Sequence, residues 1–108
     1  MTLDESRFSA LADEVLEHLC DTVDDVLGDA VDADLQAGIL TLALPGGGQY
    51  IINKHTPNRE IWMSSPVSGA IHFGHDAGKW VSTRDSSQVL QEVLAAELTA
   101  KFGTNISF

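Results

Sequence analysis

Residues 39–64 read ILTLALPGGGQYIINKHTPNREIWMS, and this stretch decides the fold. Ile39 to Leu44 alternates, with Leu40, Leu42 and Leu44 on one face, as a half-buried strand does. Pro45-Gly46-Gly47-Gly48 is a turn, and Gln49 to Asn53 is the return strand of a hairpin. Thr56-Pro57-Asn58 turns the chain again, and Glu60 to Ser64 reads as the next strand. Alternation puts Ile61 and Met63 on one face of it and Glu60, Trp62 and Ser64 on the other. Trp62 is therefore expected to face solvent, with Asn53 on the corresponding face of the neighbouring strand. An exposed tryptophan among polar side chains has the chemistry of an interface hot spot. The competing reading is a tryptophan packed under a loop.

Working outward, Val31 to Leu35 alternates as a short strand that precedes this pair. Ser65 to Gly69 reads as a loop. Ala70 to Phe73 and Lys79 to Thr83 form a last hairpin around Gly74-His75-Asp76-Ala77-Gly78. The ends of the chain change period. From Ser6 to Leu27, Phe8, Leu11, Ala12, Val15, Leu19, Val23, Val26 and Leu27 step by threes and fours, the stripe of an amphipathic helix, with Gly28 placed to end it. Near the C-terminus Val89, Leu90, Val93, Leu94, Leu98 and Phe102 share one helical face. Asp85 with Gln88 predicts the N-cap, and Gly103 the C′ position. The pattern predicts an α+β fold: two helices packed on one face of a five- to six-stranded antiparallel sheet, a two-layer sandwich with its other face open to solvent. The 108 residues fit one domain over the whole chain, 1–108.

Charge is distributed unevenly. The formal charge of −10 lies entirely in residues 1–34, where eleven acids meet one arginine, Arg7, while the remainder is neutral. On the first helix Asp13, Glu17, Asp21 and Asp25 follow one another at i,i+4, and Asp24 is an i,i+3 neighbour of Asp21. Each like-charged pair opposes the helix by about 0.2–0.5 kcal/mol before screening. Asp24 and Asp25 also lie in the last turn, where the helix dipole disfavours negative charge. Asp29, Asp32 and Asp34 extend the row onto the first strand. A solvated helix face is the bland interpretation; the self-repulsion and the neutral remainder favour a functional pole. Oxygen-only ligands suit hard cations such as Fe³⁺, Mn²⁺, Mg²⁺ and Ca²⁺ and admit Fe²⁺. No calcium loop and no two-histidine facial triad is present, so several shallow, exposed sites are expected rather than one tight cage.

Other chemistries are excluded or weak. The acidic pole repels nucleic-acid phosphates and anionic lipid heads, so no nucleic acid and no membrane is expected as partner. No hydrolase triad, phosphate-binding loop or CxxC pair is found. His72 and His75 straddle a hairpin end and could share a metal, although turn histidines without a carboxylate or thiolate companion are more often plain surface residues. Cys20 has no base beside it, and the nearby acids are expected to raise its pKa. Trp80 is assigned to the core.

Tyr50-Ile51-Ile52-Asn53-Lys54-His55-Thr56-Pro57-Asn58-Arg59-Glu60-Ile61-Trp62-Met63-Ser64-Ser65-Pro66, with Ser68-Gly69 and Gly78-Lys79-Trp80-Val81, closely resembles the frataxin signature. The acidic first helix and Leu94-Ala95-Ala96-Glu97-Leu98-Thr99 resemble frataxin as well. The resemblance implies two parallel helices on an antiparallel sheet. It implies weak binding of Fe²⁺ and Fe³⁺ at Glu17, Asp21, Asp24, Asp25, Asp29, Asp32 and Asp34, with no tightly bound cofactor. It also implies engagement of a cysteine desulfurase and an iron–sulfur scaffold protein, as iron donor, regulator or both, through Asn53, Lys54 and Trp62. A monomer is expected, with iron-dependent oligomers as the alternative. Two rival functions remain: a ferroxidase, against which stands the lack of a Glu-x-x-His pair, and an acidic docking module for a basic protein. The family pattern is broken at His55, which stands where glutamine is usual, and at His72, which stands where many members carry a basic residue. The N-terminal MTLDESRF has neither signal- nor transit-peptide character, so a bacterial cytoplasmic location is expected; a processed mitochondrial matrix protein would look the same.

Overall fold

The computed structural model describes residues 3–108. Helix α1 (Glu5–Leu27) leads into six strands: β1 (Asp32–Gln36), β2 (Ile39–Ala43), β3 (Gln49–His55), β4 (Glu60–Ser65), β5 (Gly69–Asp76) and β6 (Lys79–Ser82). Helix α2 (Leu90–Phe102) follows. Each strand pairs antiparallel with the next, giving the order β1-β2-β3-β4-β5-β6. Such a meander needs only short connections, which the Pro- and Gly-rich turns supply.

The register separates the two faces cleanly. Leu40, Leu42, Tyr50, Ile52, Ile61, Met63 and Phe73 are fully buried or nearly so and point towards the helices. Phe8, Ala12, Leu16, Leu19 and Val23 of α1 and Leu90, Leu94 and Leu98 of α2 complete one continuous core. Trp80 joins it, edge-on to Phe8 at 5.9 Å, as assigned from the sequence. Helix α1 packs over β1, β2 and β3, and α2 over β6. The open face carries Asp32, Asp34, Ile39, Thr41, Ile51, Asn53, His55, Glu60, Trp62 and His72. The expected two-layer α+β sandwich is the observed fold, with the upper strand count of six.

Three local expectations are corrected, at the start of α2 and in the lengths of β3 and β5. Asp85 does not cap α2. Its carboxylate accepts from Ser87 N and Ser87 Oγ in a turn of its own. The chain then stays extended, with Ser82 N donating to Gln88 O and Val81 bridging Val89, so α2 begins at Leu90 without a side-chain cap. Sheet pairing outcompetes the local capping signal there. Gly28 does follow α1, but its φ of −59° is not left-handed. A Cβ at Gly28 would stand 2.3 Å from Asp24 O, so the chain needs glycine there for space rather than for torsional freedom. Gly103, with φ 65° and its N–H donated to Thr99 O, is the C′ residue expected. Strands β3 and β5 are each longer than their patterns indicate, reaching His55 and Asp76. The β5–β6 connection is correspondingly a two-residue turn, Ala77-Gly78, with φ of 50° and 82°.

Candidate functional site

The acidic residues stay at the surface. Glu17, Asp21, Asp24 and Asp25 of α1, Asp29 of the following turn, and Asp32 and Asp34 of β1 are all exposed. None of these seven forms an ion pair among the described residues. Asp32 and Asp34 project from the open face of the edge strand β1, whose other face packs against α1. Cys20 reports their closeness. Burial pushes its thiol pKa up, and the charges of Asp21, Asp24 and Asp34 push it further. The charges of Asp21 and Asp24 on α1 and of Asp34 on β1 thus act on one thiol. Among the described residues no three His, Cys, Asp or Glu side chains converge as a ready-made metal cage. These exposed carboxylates are oxygen donors with open water access, the donor chemistry that hard cations prefer.

Asn53, Lys54 and Trp62 are not brought together. Asn53 and Trp62 are directly opposed on β3 and β4 and share the open face. Lys54 alternates onto the helix side. Its Nζ donates to Asp13 Oδ1 at 2.9 Å and to Ser9 Oγ at 3.0 Å, tying β3 to α1. Its stem passes under Gly38 of the β1–β2 turn, where a Cβ would meet Lys54 Cε at 2.9 Å. Gly38 also needs its φ of 77° for this two-residue turn with Ala37.

Trp62 faces outward, as the alternation predicts, but it is not bare. The His55 ring stacks on one side of the indole, centroids 3.5 Å apart and 10° from parallel. The His72 ring stacks on the other, at 4.1 Å and 7°. Indole Nε1 donates to Glu60 Oε1 at 2.9 Å, and His72 Nδ1 stands 4.0 Å from the same oxygen. His72 is directly across from Trp62 on β5, while His55 is its diagonal neighbour on β3. This three-ring stack was not visible in the sequence, because it depends on the register of three strands. The weaker of the two readings of His72 and His75, a shared metal, is ruled out by the strand geometry. His72 and His75 lie three residues apart on one strand, so they project to opposite faces. His75 instead meets Trp80 edge-on at 5.0 Å and lines a cleft with Glu14 and His18.

One further cluster escaped sequence reading. Glu97 of α2 accepts from buried Tyr50 Oη at 2.8 Å and Ser65 Oγ at 2.6 Å through Oε1, and from Ser68 Oγ at 2.7 Å through Oε2. Ser65 Oγ in turn accepts from Val67 N and Ser68 N. One carboxylate thus fastens α2 to β3, β4 and the loop after β4. Burial, followed by the Glu97 hydrogen bond and charge, pushes the Tyr50 phenol well above its usual range.

The comparisons with known proteins agree with this architecture. A family model described as a frataxin-like domain matches residues 1–104. The chain is 35% identical over 102 residues to the mitochondrial frataxin homolog of Saccharomyces cerevisiae, covering 91% of this chain and 58% of that protein. It is 41% identical over 102 residues to mitochondrial frataxin of Arabidopsis thaliana, covering 89% and 54%. The chain thus spans little more than half the length of these relatives. Frataxin from Psychromonas ingrahamii superposes with a TM-score of 0.86 over 97% of both chains at 23% identity, a likeness of fold. Trimeric yeast frataxin, solved in complex with ferrous iron, superposes at 0.78 over 86% of both chains, with 37% identity. Two helices packed on one face of a six-stranded antiparallel sheet, matched by this family model, make the chain a frataxin-like domain. This chain belongs to the frataxin family. No helix among the described residues is long and apolar enough to cross a membrane.

Proposed function

We propose that this protein binds iron weakly along the ridge formed by Glu17, Asp21, Asp24, Asp25, Asp29, Asp32 and Asp34. In this reading it serves iron–sulfur cluster assembly as iron donor, regulator or both. The observation that carries the reading is the state of these carboxylates. All seven are exposed and none is matched by a cation among the described residues, while the neighbouring Asp13 is matched by Lys54. Repulsion of this kind is tolerated where a cation relieves it. The family relationship and the ferrous complex of the yeast relative support iron as that cation.

The partner in this reading is the cysteine desulfurase–scaffold complex. The ridge meets a basic patch of the desulfurase, and the open face around Asn53 and Trp62 meets the scaffold. Lys54 contributes from beneath, by holding β3 against α1. Iron is cargo here, not a resident cofactor, and no catalytic residue is assigned. The test is an anaerobic NMR titration with Fe²⁺. Paramagnetic broadening confined to residues 13–34 is the expected result. Broadening centred on His75 and His18 instead would move the site to the cleft between α1 and the β5–β6 turn.

A further inference from the structure

Both faces of the Trp62 indole are occupied. With rings 3.5 Å and 4.1 Å away and nearly parallel, no side chain of a partner can lie against either face without displacing an imidazole. The indole N–H is also engaged, by Glu60. What remains for a partner is the benzo edge of the indole, framed by two imidazole rims. Each of the four side chains restrains its neighbours: the imidazoles fix the plane of the ring, and Glu60 fixes which way the N–H points. A tryptophan so held has lost its rotamer freedom before any partner arrives, which lowers the entropic cost of docking.

From this we infer that His55 and His72 are positioning residues, which clamp Trp62 so that a partner meets its edge as part of a rigid three-ring stack. The inference rests on the reading that the open face docks the assembly complex. The contact surface of the stack is flat and amphipathic, with C–H groups at the centre and imidazole nitrogens at the rim. It suits a shallow partner surface rather than a deep pocket that swallows an indole.

The test compares His55→Ala, His72→Ala and the corresponding Phe variants, which keep a planar ring. All four changes lie on the open face, outside the core, and circular dichroism checks that each variant is folded. Two measurements are made. The first follows the Trp62 Nε1–H resonance, assigned with Trp62→Phe, and its hydrogen-exchange rate in the isolated protein. The Ala variants should shift the resonance and accelerate exchange, and the Phe variants should restore both. The second is affinity for the desulfurase–scaffold complex. Each Ala variant should lose about two- to tenfold, the range expected for one newly freed side chain, with Phe restoring binding. Unchanged Nε1–H behaviour in the Ala variants would overturn the clamp. So would equal or tighter binding by the Ala variants while Trp62→Ala weakens it, because docking would then need the indole faces bare. Loss of effect in Trp62→Ala itself would instead remove the docking reading on which the clamp rests.

Discussion

Lys54 Nζ lies 2.9 Å from Asp13 Oδ1, and this pair joins the sheet to the acidic helix. The contact assigns Lys54 a mechanical role on the helix side of the sheet, separate from Asn53 and Trp62 on the open side. Replacing it with methionine keeps the stem that fills the space below Gly38 and removes only the charge and its two hydrogen bonds. The pair is partly exposed, so the expected loss is about 0.5–1.5 kcal/mol. Urea unfolding at low salt measures it. The difference between Lys54→Met and wild type should narrow in 1 M salt, where exposed ion pairs are screened.

Neutralising the ridge should stabilise the iron-free protein. Asp21, Asp24 and Asp25 take part in like-charged pairs within α1, and the last two oppose the helix dipole. Changing all three to asparagine should add about 1 kcal/mol at low ionic strength, seen as a Tm raised by about 4–8 °C. The same variant should lose the Fe²⁺-induced broadening. A lower Tm would mean that these carboxylates contribute to the fold itself.

Tyr50 makes a prediction about alkaline pH. Its folded-state pKa lies above the ordinary value of 10.0, owing first to burial and then to Glu97. Below pH 10 both states keep the phenol proton, and the group adds no pH dependence. Above pH 10 the unfolded chain releases the proton and the folded one retains it, so stability falls as pH rises. Tyr50→Phe should cost about 1 kcal/mol at neutral pH through the lost hydrogen bond to Glu97. The gap between variant and wild type should then close progressively above pH 10 in parallel unfolding curves.

Cys20 offers a local probe of the ridge. Its raised pKa makes it slow to react with iodoacetamide near pH 8, relative to an unperturbed thiol. Replacing Asp21, Asp24 and Asp34 with asparagine should increase the alkylation rate at fixed pH, because the thiolate is no longer repelled. Burial still raises the pKa, so the rate should stay below that of a free thiol. Equal rates in variant and wild type would mean that none of the three charges acts on Cys20.

Local patterns carried most of the architecture. Alternation in ILTLAL and EIWMS assigned Leu40, Leu42, Leu44, Ile61 and Met63 to the core and Trp62 to the open face, and each is found there. The spacing of α1 gave most of its buried stripe and the exposed row of acids, although Val26 of the expected stripe is exposed and Leu16, outside it, is buried. Pattern failed where a distant strand supplied the partner. Asp85 carried a good local capping signal, yet β6 pairs with residues 88 and 89 and delays the helix. The frataxin resemblance groups Lys54 with Asn53 and Trp62, although adjacent strand residues point opposite ways.

By itself, then, the sequence determined the element order, the two faces of the sheet and the placing of all net charge at one pole. These follow from periodicity and composition, which are properties of neighbours along the chain. Only the tertiary structure decided which side chains meet. The stack of His55, Trp62 and His72, the anchoring of Tyr50, Ser65 and Ser68 on Glu97, and the reach of Lys54 to Asp13 join residues between 7 and 47 positions apart. Such contacts depend on strand register and on how the helices settle on the sheet, both fixed by burying the common core rather than by local preference.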